Sequence, residues 1–277
     1  MPVALITGAS RGIGKSCALY LAEAGCDVAL GARTMVEGEA REHSSTLKKS
    51  DTRPLPGSLE TTAALVEERG QRAMPVYMDL LDRGSLEAAV ERVLGEWGAI
   101  DVLVNNGRYI GPGHMDLFMD TPIELLEQQI EANVIAPMVL SQRVIPQMLE
   151  RGKGVIINIT SGAGYGDPPG PAGDGGWGMG YGVSKGGFHR IAGILGVELG
   201  GQGIRAHNIQ PGFVATERMA MDMAEFGFDA SQGAPPDVVG AVAAWLVTDP
   251  EAESMNGQNI EAQDFCRERN LVPGWSG

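Results

Sequence analysis

The chain has 277 residues, 43% of them hydrophobic and 20% charged, with 40 glycines and a formal net charge of −14. That length suits a single α/β domain with a large core, and the balance of apolar and charged residues suits a soluble globular protein. The acidic surplus argues against a nucleic-acid or anionic-membrane partner, whose phosphates it would repel, so any phosphate ligand must be held by local cations and backbone amides.

In chain order, residues 3–7 form a short apolar run that ends at a glycine turn. Without a basic region before it, this reads as a first strand and not as a signal peptide. Residues 12–24 have helical periodicity, with Ile13, Cys17, Leu21 and Ala24 on one face. A second strand follows at 27–32, a helix at 59–69, a third strand at 73–78, a helix at 86–97 and a fourth strand at 101–104. Residues 122–150 read as one long helix kinked near Pro137. A fifth strand at 155–159, a helix at 181–199, a sixth strand at 204–209, a helix at 236–247 and a short last strand at 258–261 complete the pattern. Strands alternating with helices predict a parallel sheet covered on both faces. Two stretches exceed a minimal βα unit: residues 35–57, rich in charge and Ser/Thr, and the Gly/Pro-rich residues 162–179. Long loops of this kind are functional or mobile. No run is long and apolar enough to span a bilayer. Cys17, Cys26 and Cys266 form no CxxC pair and read as reduced thiols of a cytoplasmic protein. His43, His114, His189 and His207 lack metal-ligand spacing, so no metal site is expected. Asp116 and Asp120 read as a solvated pair.

Two motifs carry chemistry. Thr7-Gly8-Ala9-Ser10-Arg11-Gly12-Ile13-Gly14 lies between the first strand and the first helix. Glycines there let backbone approach a pyrophosphate, and the helix N-terminus offers free N–H groups and a positive dipole end. At the end of the second strand, where an acidic residue would hold the ribose 2′-OH of NAD, stand Ala32 and Arg33. A guanidinium suits a 2′-phosphate, which favours NADP(H) over NAD, with Arg11 as a second cation. Asp79 ends the third strand, where an adenine-edge contact and a helix cap are both open readings. The second motif is Tyr181-Gly-Val-Ser-Lys185. On a helix these two side chains share a face, and an ammonium beside a phenol stabilises the phenolate and lowers its pKa from about 10. Such a phenol can give or take a proton near neutral pH.

Together these pieces resemble the short-chain dehydrogenase/reductase family, in its single-domain, NADP-preferring branch, from residue 2 to about 262. The glycine loop, with Gly8, Ser10, Arg11, Gly12, Ile13 and Gly14, is similar to the family's cofactor loop. Leu103-Val104-Asn105-Asn106 is similar to the segment ending its fourth strand, and Pro211-Gly212-Phe213-Val214-Ala215-Thr216 to the segment at the nicotinamide. The resemblance implies a doubly wound seven-stranded sheet in the order 3-2-1-4-5-6-7 and a catalytic set of Asn133, Ser161, Tyr181 and Lys185. It further implies cofactor contacts from Arg33, Asp79, Leu80, Asn105, Tyr181, Lys185, Pro211, Gly212, Val214 and Thr216. In the implied reaction, hydride passes between NADP(H) and a carbonyl or secondary alcohol while Tyr181 donates the proton. Lys185 tunes Tyr181 and holds the nicotinamide ribose, Ser161 polarises the carbonyl, and Asn133 helps place Lys185 through water.

For residues 213–232, with Phe213, Met219, Met221, Met223, Phe226 and Phe228, the resemblance implies a lid over a small apolar substrate, with packing against the protein's own core or a partner subunit as the open alternative, and Trp177 and Met179 are expected to add an apolar wall. A homotetramer or dimer is implied, through the helices containing Asn133 and Tyr181. Three departures stand out. Gly107-Arg108 replaces Ala-Gly after the paired asparagines. Ser161 and Tyr181 are farther apart than in most relatives, with the surplus in residues 166–179. Glu261-Ala262-Gln263-Asp264 replaces an aspartate and two glycines. The competing reading is a cofactor-binding regulator that has lost turnover.

Overall fold

The computed structural model describes residues 1–277, apart from the side chains of Asp222 and Ala224. Seven strands form one sheet in the order β3-β2-β1-β4-β5-β6-β7, every pair parallel. They are β1 (Val3–Thr7), β2 (Asp27–Ala32), β3 (Ala73–Tyr77), β4 (Val102–Asn105), β5 (Gly154–Ile159), β6 (Ile204–Gln210) and β7 (Asn259–Glu261). β1, β2, β4 and β5 are buried at every position. That is why they read as unbroken apolar runs: a parallel sheet has helices on both faces and no solvent side.

One face is covered by α1 (Gly12–Glu23), α2 (Leu59–Glu67), α8 (Asp237–Thr248) and α9 (Ala262–Arg269), around Leu21, Leu59, Val239 and Leu246. The other carries α3 (Arg83–Trp97), α5 (Ala136–Glu150) and α6 (Met179–Leu199), around Leu86, Leu103, Leu140 and Met148. The strand order reverses between β1 and β4, which opens a crevice at the carboxyl ends of the strands, where ligands bind in such sheets.

Three elements differ from the sequence reading. The expected long helix is divided into α4 (Ile123–Ile130), a π turn (Glu131–Ile135) and α5. The Ala136 amide reaches back to the Glu131 carbonyl, the wider spacing of a π turn. Pro137 has no N–H for the carbonyl four residues earlier, that of Asn133, so the irregularity falls one turn before the proline. Two short helices escaped the reading: α7 (Glu217–Asp222) inside the expected lid, and α9 directly after β7. All three cysteines are free and buried, and burial pushes the Cys17 thiol up to about 12.

Candidate active site

A cleft of about 300 Å³ runs along the carboxyl ends of the central strands. Its floor begins at the glycine loop. Gly8 and Gly12 adopt positive φ (67° and 53°), which L side chains rarely do. A Cβ on Gly14 would lie 2.2 Å from the Gly8 carbonyl oxygen. α1 starts without a side-chain cap, so its first amides remain available to an anion. Asn106 stitches this loop to the end of β4. Its Nδ2 donates to the carbonyls of Thr7 (2.9 Å) and Gly8 (3.2 Å), while the amides of Asn106 and Gly107 donate to Thr7 Oγ1. A cradle that a Cβ would fill, beside uncapped amides, fits a dinucleotide pyrophosphate.

Arg33 lines the cleft at the end of β2, and its guanidinium makes no hydrogen bond or ion pair among the described residues. Arg11 is differently engaged. Its Nε donates to the Pro56 carbonyl (2.8 Å) and its Nη2 to those of Gly57 (2.6 Å) and Leu55 (3.4 Å). It therefore anchors the 35–57 segment, a reason to read Arg33 and not Arg11 as the phosphate cation. Asp79 and Leu80 line the cleft. The Asp79 carboxylate accepts from the Leu81 amide, while the cap of α3 is Asp82. Asn105 has another task. Its side chain lies inside the sheet, donating to Asn158, which in turn donates to Asn208. Pro211 and Thr216 reach the cleft, whereas Val214 is buried in a bridge to Ala234. Gly212 turns at φ 70°, and the Gln263 amide clamps the carbonyls of Pro211 (3.1 Å) and Phe213 (3.0 Å). That clamp is what the departure after β7 supplies.

Tyr181 and Lys185 lie on α6 and both line the cleft. Lys185 is buried, with Nζ donating to the Ile159 carbonyl at 2.9 Å. Burial, aided by the charge of Arg108, pushes its ammonium down to about 7. Ser161 lies just past the end of β5 and caps a one-turn helix, its Oγ accepting from the Ala163 amide at 3.2 Å. The hydroxyl hydrogen is left for another acceptor. Asn133 sits in the π turn, 2% exposed. Its Oδ1 accepts from the Tyr109 amide (2.6 Å) and its Nδ2 donates to Ser184 Oγ (2.9 Å), which itself donates to the Tyr181 carbonyl. Asn133 thus ties the loop after β4 to the helix that carries Tyr181. The side chain braces Ser184, the neighbour of Lys185, and makes no direct hydrogen bond to Lys185 among the described residues.

Sequence reasoning passed over several residues here. His114 packs edge-on against Tyr181, ring centroids 4.4 Å apart. Burial and then Arg108, Arg218 and Lys185 hold its imidazole well below its ordinary pKa, hence neutral. Gly107, Arg108 and Tyr109 line the cleft. Asp116, expected in solvent, is buried and bonded to the 35–57 segment. Its carboxylate accepts from Thr46 Oγ1 (2.6 Å) and from the amides of Leu47 and Gly113 (both 2.9 Å). Arg218 of α7 donates to Ser45 Oγ (2.7 Å) and the His43 carbonyl (3.1 Å). The 35–57 segment is therefore a strap bonded to the 111–116 loop and to α7 of the expected lid. In the lid, Phe213 stacks on Phe228 at 6.1 Å and Met223 is buried against Ser45. Met179 is 47% exposed, so it forms no inner wall. Among the described residues no cluster of His, Cys, Asp and Glu could hold a metal, and no helix is long and apolar enough to cross a membrane.

The crevice, the glycine cradle and the Tyr–Lys pair define a nucleotide-dependent α/β oxidoreductase. Comparison with known proteins makes this specific. The profile of the short chain dehydrogenase family matches residues 2–54 and 53–225. A 3-oxoacyl-[acyl-carrier-protein] reductase of Synechocystis is 30% identical over 262 residues, 93% of this chain and 94% of that protein. A cyclohexanol dehydrogenase of Rhodococcus is 29% identical over 250 residues, 87% of each. A solved structure from Sinorhizobium meliloti, provisionally described as a short-chain alcohol dehydrogenase, superposes with a TM-score of 0.75 at 27% identity over 94% of both chains. The chain belongs to the short-chain dehydrogenase/reductase family and is a NAD(P)-dependent oxidoreductase acting on CH–OH or C=O groups.

Proposed function

We propose that this protein transfers hydride between NADP(H) and the carbonyl, or secondary alcohol, of a small substrate, with Tyr181 as proton donor. The observation that carries the reading is a single cleft lined at once by the glycine loop, Arg33, Tyr181 and Lys185. The glycine-loop amides and the α1 N-terminus would hold the pyrophosphate, and Arg33 the 2′-phosphate. The bound nicotinamide supplies the hydride. Tyr181 delivers a proton to the carbonyl oxygen as charge develops there, and the free hydroxyl hydrogen of Ser161 stabilises the same oxygen. Lys185 places a cation beside Tyr181 and the nicotinamide ribose. Asn133 fixes the helix that bears both.

A cytoplasmic homo-oligomer completes the reading. Exposed Val183, Ile194 and Val197 on α6, with Met138 on α5, give apolar surface for self-association, which light scattering would measure. The test of function is a panel of ketones and aldehydes followed by NADPH absorbance, with NADH as control. Tyrosine-dependent NADPH oxidation is expected. A strong preference for NADH would overturn the assignment of Arg33, and no oxidation of either cofactor across the panel would favour a binding protein without turnover.

A further inference from the structure

Arg108 follows the paired asparagines and Gly107, and its guanidinium lies over the Tyr181 ring, 5.7 Å from the centroid. A guanidinium has five N–H donors. The one hydrogen bond Arg108 makes among the described residues goes from Nη1 to the Tyr109 carbonyl at 2.9 Å. Among the described residues no carboxylate lies within ion-pair distance of it. Two other part-buried arginines differ: Arg11 spends its donors on three carbonyls of the strap, and Arg205 on the carbonyls of Leu246 and Val247.

The surroundings sharpen the anomaly. The charged groups that act on Lys185 and His114 are all cations: Arg108 on the first, Arg108, Arg218 and Lys185 on the second. Asp116, farther along the same loop, is occupied by Thr46, Leu47 and Gly113. Arg108 thus lies over the ring of the proton donor with no acidic partner among the described residues. Placing a cation in a cleft without a counter-charge costs stability, and an anion that pairs with its fork offsets that cost.

We propose that Arg108 is a specificity-determining residue that binds a carboxylate on the substrate, and that the substrates are 2-oxo or 3-oxo acids or the matching hydroxy acids. This rests on the reading of Tyr181 as proton donor to a carbonyl. A guanidinium stacked over the ring of that donor reaches a carboxylate only a bond or two from the reacting carbon. The carboxylate keeps its bonds throughout. The carbonyl carbon gains the hydride, the carbonyl oxygen gains the Tyr181 proton, and a hydroxy acid leaves while NADPH becomes NADP⁺. The expectation of an apolar substrate is thereby narrowed to the remainder of the molecule.

The test is calorimetric binding to the NADP⁺-saturated enzyme, where no turnover intrudes, with two matched pairs: benzoylformate against methyl benzoylformate, and acetoacetate against methyl acetoacetate. The wild type is expected to favour the acid in at least one pair by about tenfold or more, as a charged hydrogen-bonded pair supplies. Arg108→Met should lose that preference, Arg108→Lys should keep part of it, and NADP⁺ affinity should stay within about threefold in both variants. Equal binding of acid and ester in both pairs, or no binding of either acid, overturns the proposal. So does a fall in NADP⁺ affinity with acid–ester discrimination unchanged, which would assign Arg108 to the cofactor. NADPH oxidation with neutral ketones is scored separately, so failure of the oxidoreductase reading is told apart from failure of this one.

Discussion

The floor and the roof of the cleft are held by different physics. The floor consists of strand ends and helix starts. Thr7, Asn106 and the glycine loop are bonded backbone to side chain over buried strands, and Asn105, Asn158 and Asn208 link three neighbouring strands by their amides. The roof consists of the strap, the 111–116 loop and the lid, held by a few polar anchors: Asp116 on Thr46 and Leu47, Arg218 on Ser45 and His43, Arg11 on residues 55–57. Breaking a floor contact exposes groups that have no water to turn to. Breaking a roof contact frees a segment that can rise into solvent. In the proposed function the floor therefore carries the cofactor and the proton donor, and the roof is the part placed to select what enters.

Changes on the two sides separate these roles. Arg33→Ala removes the unpartnered cation at the end of β2. It should weaken NADPH binding about tenfold to a hundredfold and leave NADH nearly unchanged, as read by cofactor fluorescence titration. Asn133→Ala deprives the Tyr109 amide and Ser184 of buried partners. It should lower global stability by about 1–3 kcal/mol in urea melts and slow turnover, because α6 loses its tie to the loop after β4. Asp116→Ala removes three bonds as well, yet its cost should be local. Hydrogen exchange of the 43–47 and 111–116 amides is expected to accelerate while the sheet stays protected. Loss of sheet protection would mean that the roof is part of the core. A further effect concerns pH. Burial holds Lys185 near 7 in the folded protein against an ordinary 10.5, so between those values the unfolded chain binds more protons and stability rises with pH. The penalty of the buried ammonium is fully present below pH 7. The thermal advantage of Lys185→Met over the wild type should therefore shrink steadily from pH 7 toward 10, and an advantage constant in pH would place the ammonium in solvent.

What the sequence disclosed follows the same division. The alternating strands and helices, the glycine cradle and the Tyr181–Lys185 pair depend on short spacings and periods of two and 3.6, all of which are local, whereas the strand order was legible only through the family resemblance. Asn133 was found by its motif, but not its partners, since the π turn arises from a proline four residues onward. The strap was visible as surplus length at 35–57 and nothing more. Thr46 meets Asp116 and Ser45 meets Arg218 across separations that no periodicity encodes. For that reason Asp116 passed for a surface acid and His114 for a scattered histidine. Arg108 was visible as a departure from pattern, but its place over Tyr181 needed the fold.

The central claim is that Tyr181 moves the proton while the floor binds the cofactor independently of it. NADPH affinity and NADPH oxidation measured on one preparation of Tyr181→Phe test this directly. The account predicts unchanged affinity and a rate lowered by about a hundredfold to ten-thousandfold, the usual contribution of a general acid. Full activity in the phenylalanine variant would contradict it.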